Sequence, residues 1–358
     1  MKIYKLLFIL FFVQSFFAVN AQVHNKKWRN IIESDDKVWF ASPEAATIAD
    51  NVLLYQRNIG GWPKNIQMQN SLSDKEKQEL LELKSDPNGC TTDNGATCQE
   101  MIFLAKVYKQ QPNEKYKDSF LKGLNFLLAA QYENGGWPQF YPLEKGYYTH
   151  VTYNDDSMVN ILEIFKEIKD KSCFMTIKFS SEIVSKIKTA FDKGIDCILK
   201  TQYKQDGVLT SWCAQYDETT LEPAKARAYE LPSLSGKESA KIVSLLMSIK
   251  NPSKEIINAV ESAIAWFEKT KITGIKIESI QNSDGKKDRI VVKDTNAEPL
   301  WARFMELDTN KPFFCDRDGI KKETLAEIGY ERRNGYAWYT NEPQDVLKKY
   351  QKWKNKLK

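Results

Sequence analysis

The chain has 358 residues, a formal charge of +5 and an aromatic share of 12 %. That length is generous for one domain but suits a single helical toroid, and the mildly basic total gives no reason to expect a nucleic-acid partner, because the placement of charges decides more than their sum. Six cysteines, at positions 90, 98, 173, 197, 213 and 315, form no CxxC pair and no Cys/His cluster, which argues against zinc.

Residues 1–21 read as a secretory leader. Lys2 and Lys5 make the positive start, Leu6 to Val19 are almost wholly apolar, and Val19-Asn20-Ala21 supplies small residues for cleavage. The stretch is too short and wrongly flanked for a stable transmembrane helix. The expectation is one domain over residues 22–358, secreted or periplasmic, with no membrane contact once the leader is removed. Cys90 and Cys98 could bridge in such a compartment, and burial of all six thiols as small apolar residues explains them equally.

Apolar residues at helical spacing predict helices over 45–56, 95–109, 115–131, 157–169, 182–202, 239–249 and 255–268. Residues 274–293 differ. Two β-rich runs flank Asn282-Ser283-Asp284-Gly285, which predicts a small hairpin. A near-repeat joins the helices: Gln56 to Pro63 carries Gly60-Gly61-Trp62, Gln131 to Pro138 carries Gly135-Gly136-Trp137, and Gln202 to Gly207 with Trp212 is a weaker third copy. The glycines recur every 70–75 residues, the length of two helices with their loops. An αα-hairpin repeated around a ring follows, a mainly α fold of the (α/α) toroid kind with its loops gathered at one end. Helix-stop chemistry over a packed tryptophan accounts for the repeat as well as a binding role does.

Four polar islands interrupt this pattern. Thr91 to Thr97 holds Asp93 and Asn94 at a helix start, where one of them is an ordinary cap and the pair is not. Thr152 to Met158 holds Asp155 and Asp156, adjacent carboxylates that repel unless they share a cation, and such oxygen ligands suit calcium. Pro223 to Ser233 sets Lys225 and Arg227 among alanines. Lys293 to Gly319 embeds Arg303 and Arg317 among aromatic residues, a setting for planar recognition of carboxylates, or for salt bridges with Asp316 or Asp318.

In order, Thr-Thr-Asp-Asn-Gly-Ala-Thr, Gly-Gly-Trp-Pro-Gln-Phe-Tyr-Pro, Thr-Tyr-Asn-Asp-Asp-Ser-Met, Ala-Arg-Ala-Tyr-Glu-Leu-Pro-Ser, Val-Lys-Asp, Leu-Trp-Ala-Arg-Phe and Phe-Phe-Cys-Asp-Arg-Asp-Gly run from position 91 to 319. This set resembles the pectate lyases of polysaccharide lyase family 10, over nearly the whole chain after the leader. Cys315 stands where a smaller residue such as glycine is expected. The resemblance implies an (α/α)3-type toroid with long loops and calcium-assisted β-elimination of polygalacturonate. It implies Arg227 as the base, although arginine ordinarily stays protonated. A transient neutral state favoured by desolvation and by cations such as Lys225 would reconcile the two. It further implies Asp93 and Asp155 as calcium and active-site carboxylates with Asn94 and Asp156 beside them, Arg303 and Arg317 as uronate clamps, and Lys64, Lys225, Tyr229 and Trp338 as groove residues. A monomer is the expected state.

Three rivals remain at this level. A glycoside hydrolase could work with Asp93 and Asp155 as its carboxylate pair. An isoprenoid cyclase shares the Gln-to-Trp repeat but lacks a proper acidic initiator. A non-catalytic sugar-binding protein would have no activity to lose.

Overall fold

The computed structural model describes residues 26–171 and 176–357. The leader expected at residues 1–21 and Cys173 lie outside them. Helices dominate, and the strands are short apart from one hairpin, so the mainly α expectation holds. In chain order the helices are α1 (Trp28–Glu33), α2 (Lys37–Phe40), α3 (Pro43–Tyr55), α4 (Asp74–Glu82), α5 (Cys98–Gln110), α6 (Glu114–Ala129), α7 (Ser157–Lys169), α8 (Ser181–Thr201), α9 (Gly236–Met247), α10 (Lys254–Thr270), α11 (Tyr330–Gly335) and α12 (Glu342–Asn355). Among the described residues no helix is long and apolar enough to cross a membrane.

The chain forms two compact units. The first comprises Met1–Ala130, Phe140–Pro142 and Lys166–Ile187. Its helices start where the sequence supplies caps: the Ser42 side chain accepts from the Ala45 amide with Pro43 in the first turn, and Asn113 accepts from Lys115. Ala45, Ile48, Ala49 and Val52 make the buried stripe of α3, and Met101, Leu104 and Ala105 that of α5. Trp62 is fully buried among them and donates its Nε1–H to Val52 O at 2.8 Å. Gly61 and Gly123 lie so close to Phe126, Met101 and Trp62 that a methyl group at either would clash.

The second unit comprises Gln131–Gln139, Leu143–Phe165 and Lys188–Lys358. It holds strands β1 (Val151–Thr152), β2 (Lys204–Gln205), β3 (Val208–Leu209), β4 (Gln215–Tyr216), β5 (Ile275–Gln281), β6 (Lys287–Lys293), β7 (Trp301–Ala302), β8 (Phe314–Cys315), β9 (Lys321–Lys322) and β10 (Tyr339–Thr340). The predicted hairpin is present, antiparallel from Ile275↔Lys293 to Gln281↔Lys287, and its turn is closed by Asn282 Oδ1 accepting from Asp284 N and Lys286 N.

Side-chain hydrogen bonds explain the repeat. Gln56 Nε2 donates to Gly60 O in its own loop and to Ser119 O on α6; Gln131 does the same with Gly135 O and Ala190 O, and Gln202 with Thr210 O and Ala259 O. Each glutamine thus bridges a loop carbonyl and a helix carbonyl, tying a loop to a helix. Trp62, Trp212 and Trp301 each donate from Nε1 to a carbonyl in the last turn of a preceding helix, at Val52, Ile198 and Phe267. Trp301 therefore marks a fourth copy, hidden in the sequence because Lys271 occupies the glutamine position and β5–β6 intervenes. The tryptophans are fully buried, so helix-stop chemistry over a packed tryptophan is the reading the structure supports.

Cys90, Cys98, Cys197, Cys213 and Cys315 are buried thiols, and Cys90 and Cys98 do not bridge. Burial pushes the thiols of Cys90 and Cys213 up to about 12.

Candidate active site

In the first unit the island at Thr91 is a 3-10 turn, Asp93–Gly95, held from beneath by Thr97. The Thr97 hydroxyl donates to Thr91 O and accepts from Trp62 N. Asn94 takes a left-handed φ of 52°, and its Nδ2 donates to Asn65 Oδ1 at 3.0 Å. Asp93 is only 4 % exposed. Its Oδ2 forms an ion pair with Lys64 Nζ, which also lies 5.1 Å from the Phe140 ring centre. Its Oδ1 is buried with no hydrogen-bond donor. A buried carboxylate oxygen left this way costs about 1–3 kcal/mol, which makes Asp93 a residue kept for something other than stability.

The second unit gathers a larger cluster. β1 pairs with β4 (Val151↔Tyr216), and Tyr153 N and Asn154 N both donate to Ala214 O, which fixes the turn Asn154–Asp156. Asp155 and Asp156 have φ of 49° and 63°. Two successive non-glycine residues in that region store about 1–3 kcal/mol each, a cost concentrated at functional sites. Asp155 Oδ1 accepts from Lys237 Nζ at 3.0 Å and Arg303 Nη2 at 3.2 Å, and its Oδ2 accepts from Asn154 Nδ2. Arg303, itself buried, also donates to Asn154 Oδ1 and Glu238 Oε1 and lies over the Tyr336 ring at 4.6 Å. Ser235 Oγ completes the set by bonding Glu238 Oε2.

These charges set one another. Burial alone would raise Asp155, but Arg303 and Lys237 outweigh it and hold the carboxyl below its ordinary value. Asp156 goes the other way: burial raises it, Glu238 and Asp155 add to the rise, and Lys237 only partly opposes it. Adjacent carboxyls are thereby pushed apart. Lys237 and Glu238 were not singled out in the sequence. One signal was available, since Lys237 lies in the first turn of α9, where a cation opposes the helix dipole and needs an anionic partner.

Arg227 lies in the loop between Pro223 and Ser233. Its Nε and Nη2 donate to the two oxygens of Glu230 at 2.7 and 2.6 Å, and its guanidinium lies 4.9 Å from the Tyr229 ring centre. The Glu230 hydrogen bonds push the Arg227 pKa up, with burial opposing. Burial works toward a neutral Arg227 as expected, but the expected cationic help is absent: Lys225 is exposed, and the neighbour that dominates is an anion.

Other expected groove residues fall elsewhere. Trp338 is 3 % exposed and packs among Phe304, Phe314 and Tyr336 with Nε1–H donated to Arg332 O, so neither ring face is open to a sugar. Tyr229 is buried too, between the guanidinium groups of Arg227 and Arg332. The Tyr229 ring thus supports two arginines, and the Trp338 ring packs into an aromatic cluster. Arg317 is exposed and paired through two hydrogen bonds with Glu331, not with Asp316 or Asp318. Across the loops beyond β1 and β4, His150, Asp217 and Glu218 bring possible ligand atoms within 4.8 Å of one another, and none of them was expected.

A family model described as Pectic acid lyase matches residues 56–347. A mutant of a family 10 polysaccharide lyase from Cellvibrio cellulosa, solved in complex with trigalaturonic acid, is 41 % identical over 86 % of this chain and 92 % of its own, with a TM-score of 0.75. The family 10 polysaccharide lyase from Cellvibrio cellulosa is 40 % identical over 89 % of this chain and 96 % of its own, again with a TM-score of 0.75. No curated protein matches the chain. A match over most of the chain, together with identity at this level across nearly the whole of both relatives, places it: the chain belongs to the pectic acid lyases, as a pectate lyase of polysaccharide lyase family 10.

Proposed function

We propose that this pectate lyase is exported and cleaves α-1,4-linked polygalacturonate by calcium-assisted β-elimination, leaving a 4,5-unsaturated end. The observation that carries the calcium reading is Asp93, whose buried Oδ1 meets no donor while Oδ2 is neutralised by Lys64. Such an oxygen is well suited to a hard cation. In the second unit Asp155 and Asp156 offer carboxylate oxygens of the same kind, Asp156 having no cation within salt-bridge distance among the described residues. When bound, calcium would withdraw charge from the uronate carboxylate and so acidify the C5 proton.

The chain's own residues then divide the work. Asn154, Lys237 and Glu238 orient Arg303 and Asp155, and Lys64 positions Asp93. Lys225 and Arg317, both exposed, are available to uronate carboxylates. Arg227 takes the proton from C5. The C–H electron pair becomes the C4–C5 double bond, the C4–O4 bond breaks with its electrons on O4, and that oxygen takes up a proton. Because Glu230 raises the Arg227 pKa, the neutral form grows only as pH climbs, so the rate rises through the alkaline range.

The test is the rise of ultraviolet-absorbing unsaturated uronide from polygalacturonate, with and without a calcium chelator. Product with calcium and none with chelator is expected. Reducing ends without unsaturation would favour the hydrolase, and undiminished product after chelation would remove calcium from the mechanism.

A further inference from the structure

Glu230 enters the chemistry above only through its charge, yet its contacts with Arg227 do more. It is 5 % exposed, whereas the Arg227 side chain it holds is 44 % exposed. Glu230 Oε2 accepts from Arg227 Nε and from the Arg227 backbone amide at 3.1 Å, and Oε1 accepts from Arg227 Nη2 and from the Tyr336 hydroxyl at 2.9 Å. Two backbone bonds, Ala226 N to Glu230 O and Glu230 N to Arg227 O, close the loop around this contact. The Tyr229 ring covers one face of the guanidinium at 4.9 Å and Tyr336 lies 5.8 Å away. Among the described residues, nothing meets Nη1.

Resting on the lyase reading, we propose that Glu230 is the positioning residue for Arg227: it locks the Nε–Nη2 edge against the loop so that Nη1 alone is presented to the C5 proton of the uronate. A two-point contact fixes the plane of a guanidinium as a single bond cannot, and a misplaced base loses rate steeply. The geometry has an electrostatic cost, because the Glu230 charge opposes loss of a proton from the group it aims. The other titratable groups facing the pair are Tyr147, Tyr229, Tyr336, Arg303 and Arg332.

The experiment is the pH profile of kcat and KM on polygalacturonate for the wild type, Arg227→Ala, Glu230→Gln and Tyr336→Phe. Glu230→Gln keeps one acceptor and removes the charge. Its plateau kcat is expected to fall about tenfold with KM within about twofold, while the acid limb of the profile moves down by about one pH unit or more. Tyr336→Phe takes a donor from Glu230, so the carboxylate holds the Arg227 proton harder and the limb moves up. A merely structural role would lower the melting temperature without moving either limb. Should Glu230→Gln not fold, an unmoved limb in Tyr336→Phe overturns the proposal by itself. Wild-type kcat and limb in Glu230→Gln, with Arg227→Ala inactive, overturns it directly. Failure of the lyase reading looks different: no unsaturated product from the wild type at any pH, or full activity in Arg227→Ala.

Discussion

Glu100 on α5 is fully buried, with Trp28 Nε1–H donated to one oxygen at 2.8 Å and the other oxygen unsatisfied. Burial pushes its pKa up to about 7, the Trp28 bond only partly opposing. The folded pKa is above that of an exposed glutamate, so its stabilisation is fully present below about pH 4 and is lost as pH rises through about 7. The span amounts to roughly 3–4 kcal/mol. Glu100→Gln should therefore melt higher than the wild type at pH 8.5 and nearly with it at pH 5, measured by thermal denaturation. An alkaline optimum would be reached at some expense to this buried group. Lys237 is the second residue with a clear forecast. Lys237→Met removes one charged bond from Asp155 while Arg303 still meets Asp155 and Glu238, so kcat/KM should fall about 10–100-fold with folding retained. The sequence offered little to weight either residue beyond the first-turn position of Lys237. Glu100 reads as an ordinary first-turn acid, and the partner of Lys237 is 82 positions away.

At the level of elements, Gly60 and Gly135 occupy equivalent places in the repeat, with φ of 108° and 92°. A β-carbon would lie 2.3 Å from Lys122 O at Gly60 and 2.0 Å from Lys193 O at Gly135, closer than atoms can approach. Alanine at either site should cost about 1–3 kcal/mol or more, read as a drop in melting temperature of comparable size for the two variants. Three copies of this element were legible because glutamine, glycine and tryptophan are each required by a local geometry. The hairpin was legible for the same reason, through the Asn282 turn. The fourth copy was not, since only the tryptophan remained and its anchor on α10 is distant in sequence.

For the whole molecule, the helical class followed from periodicity alone, and the ordered islands carried the family. What stayed hidden was which side of each island faces inward. Tyr229 lies two positions from Arg227, and it packs with Trp338 into an aromatic core, since large rings near a charged centre bury themselves when neighbours permit. The hydrolase alternative, built on Asp93 and Asp155 as a pair, gives way to membership of a lyase family. The free thiols give a forecast at this scale: reductant should leave the melting temperature unchanged, because the described cysteines hold no bridge to break. Thiolate is the reactive form, and groups pushed up to about 12 remain protonated at neutral pH.

The tryptophan anchors have a consequence for how this fold accepts new length. Gln56 to Trp62 and Gln131 to Trp137 are short steps, Gln202 to Trp212 is longer, and Lys271 to Trp301 accommodates an entire β-hairpin, yet Trp62, Trp212 and Trp301 all end on the same kind of carbonyl. The anchor fixes both ends of the step and leaves the interval indifferent to what fills it. The exposed tip of that hairpin, at Ser283 to Gly285, is thus a natural graft point. A tag or a foreign binding module spliced there would hang from a closed clamp and leave the turns and loops that hold Asp93, Asp155 and Arg227 where they are.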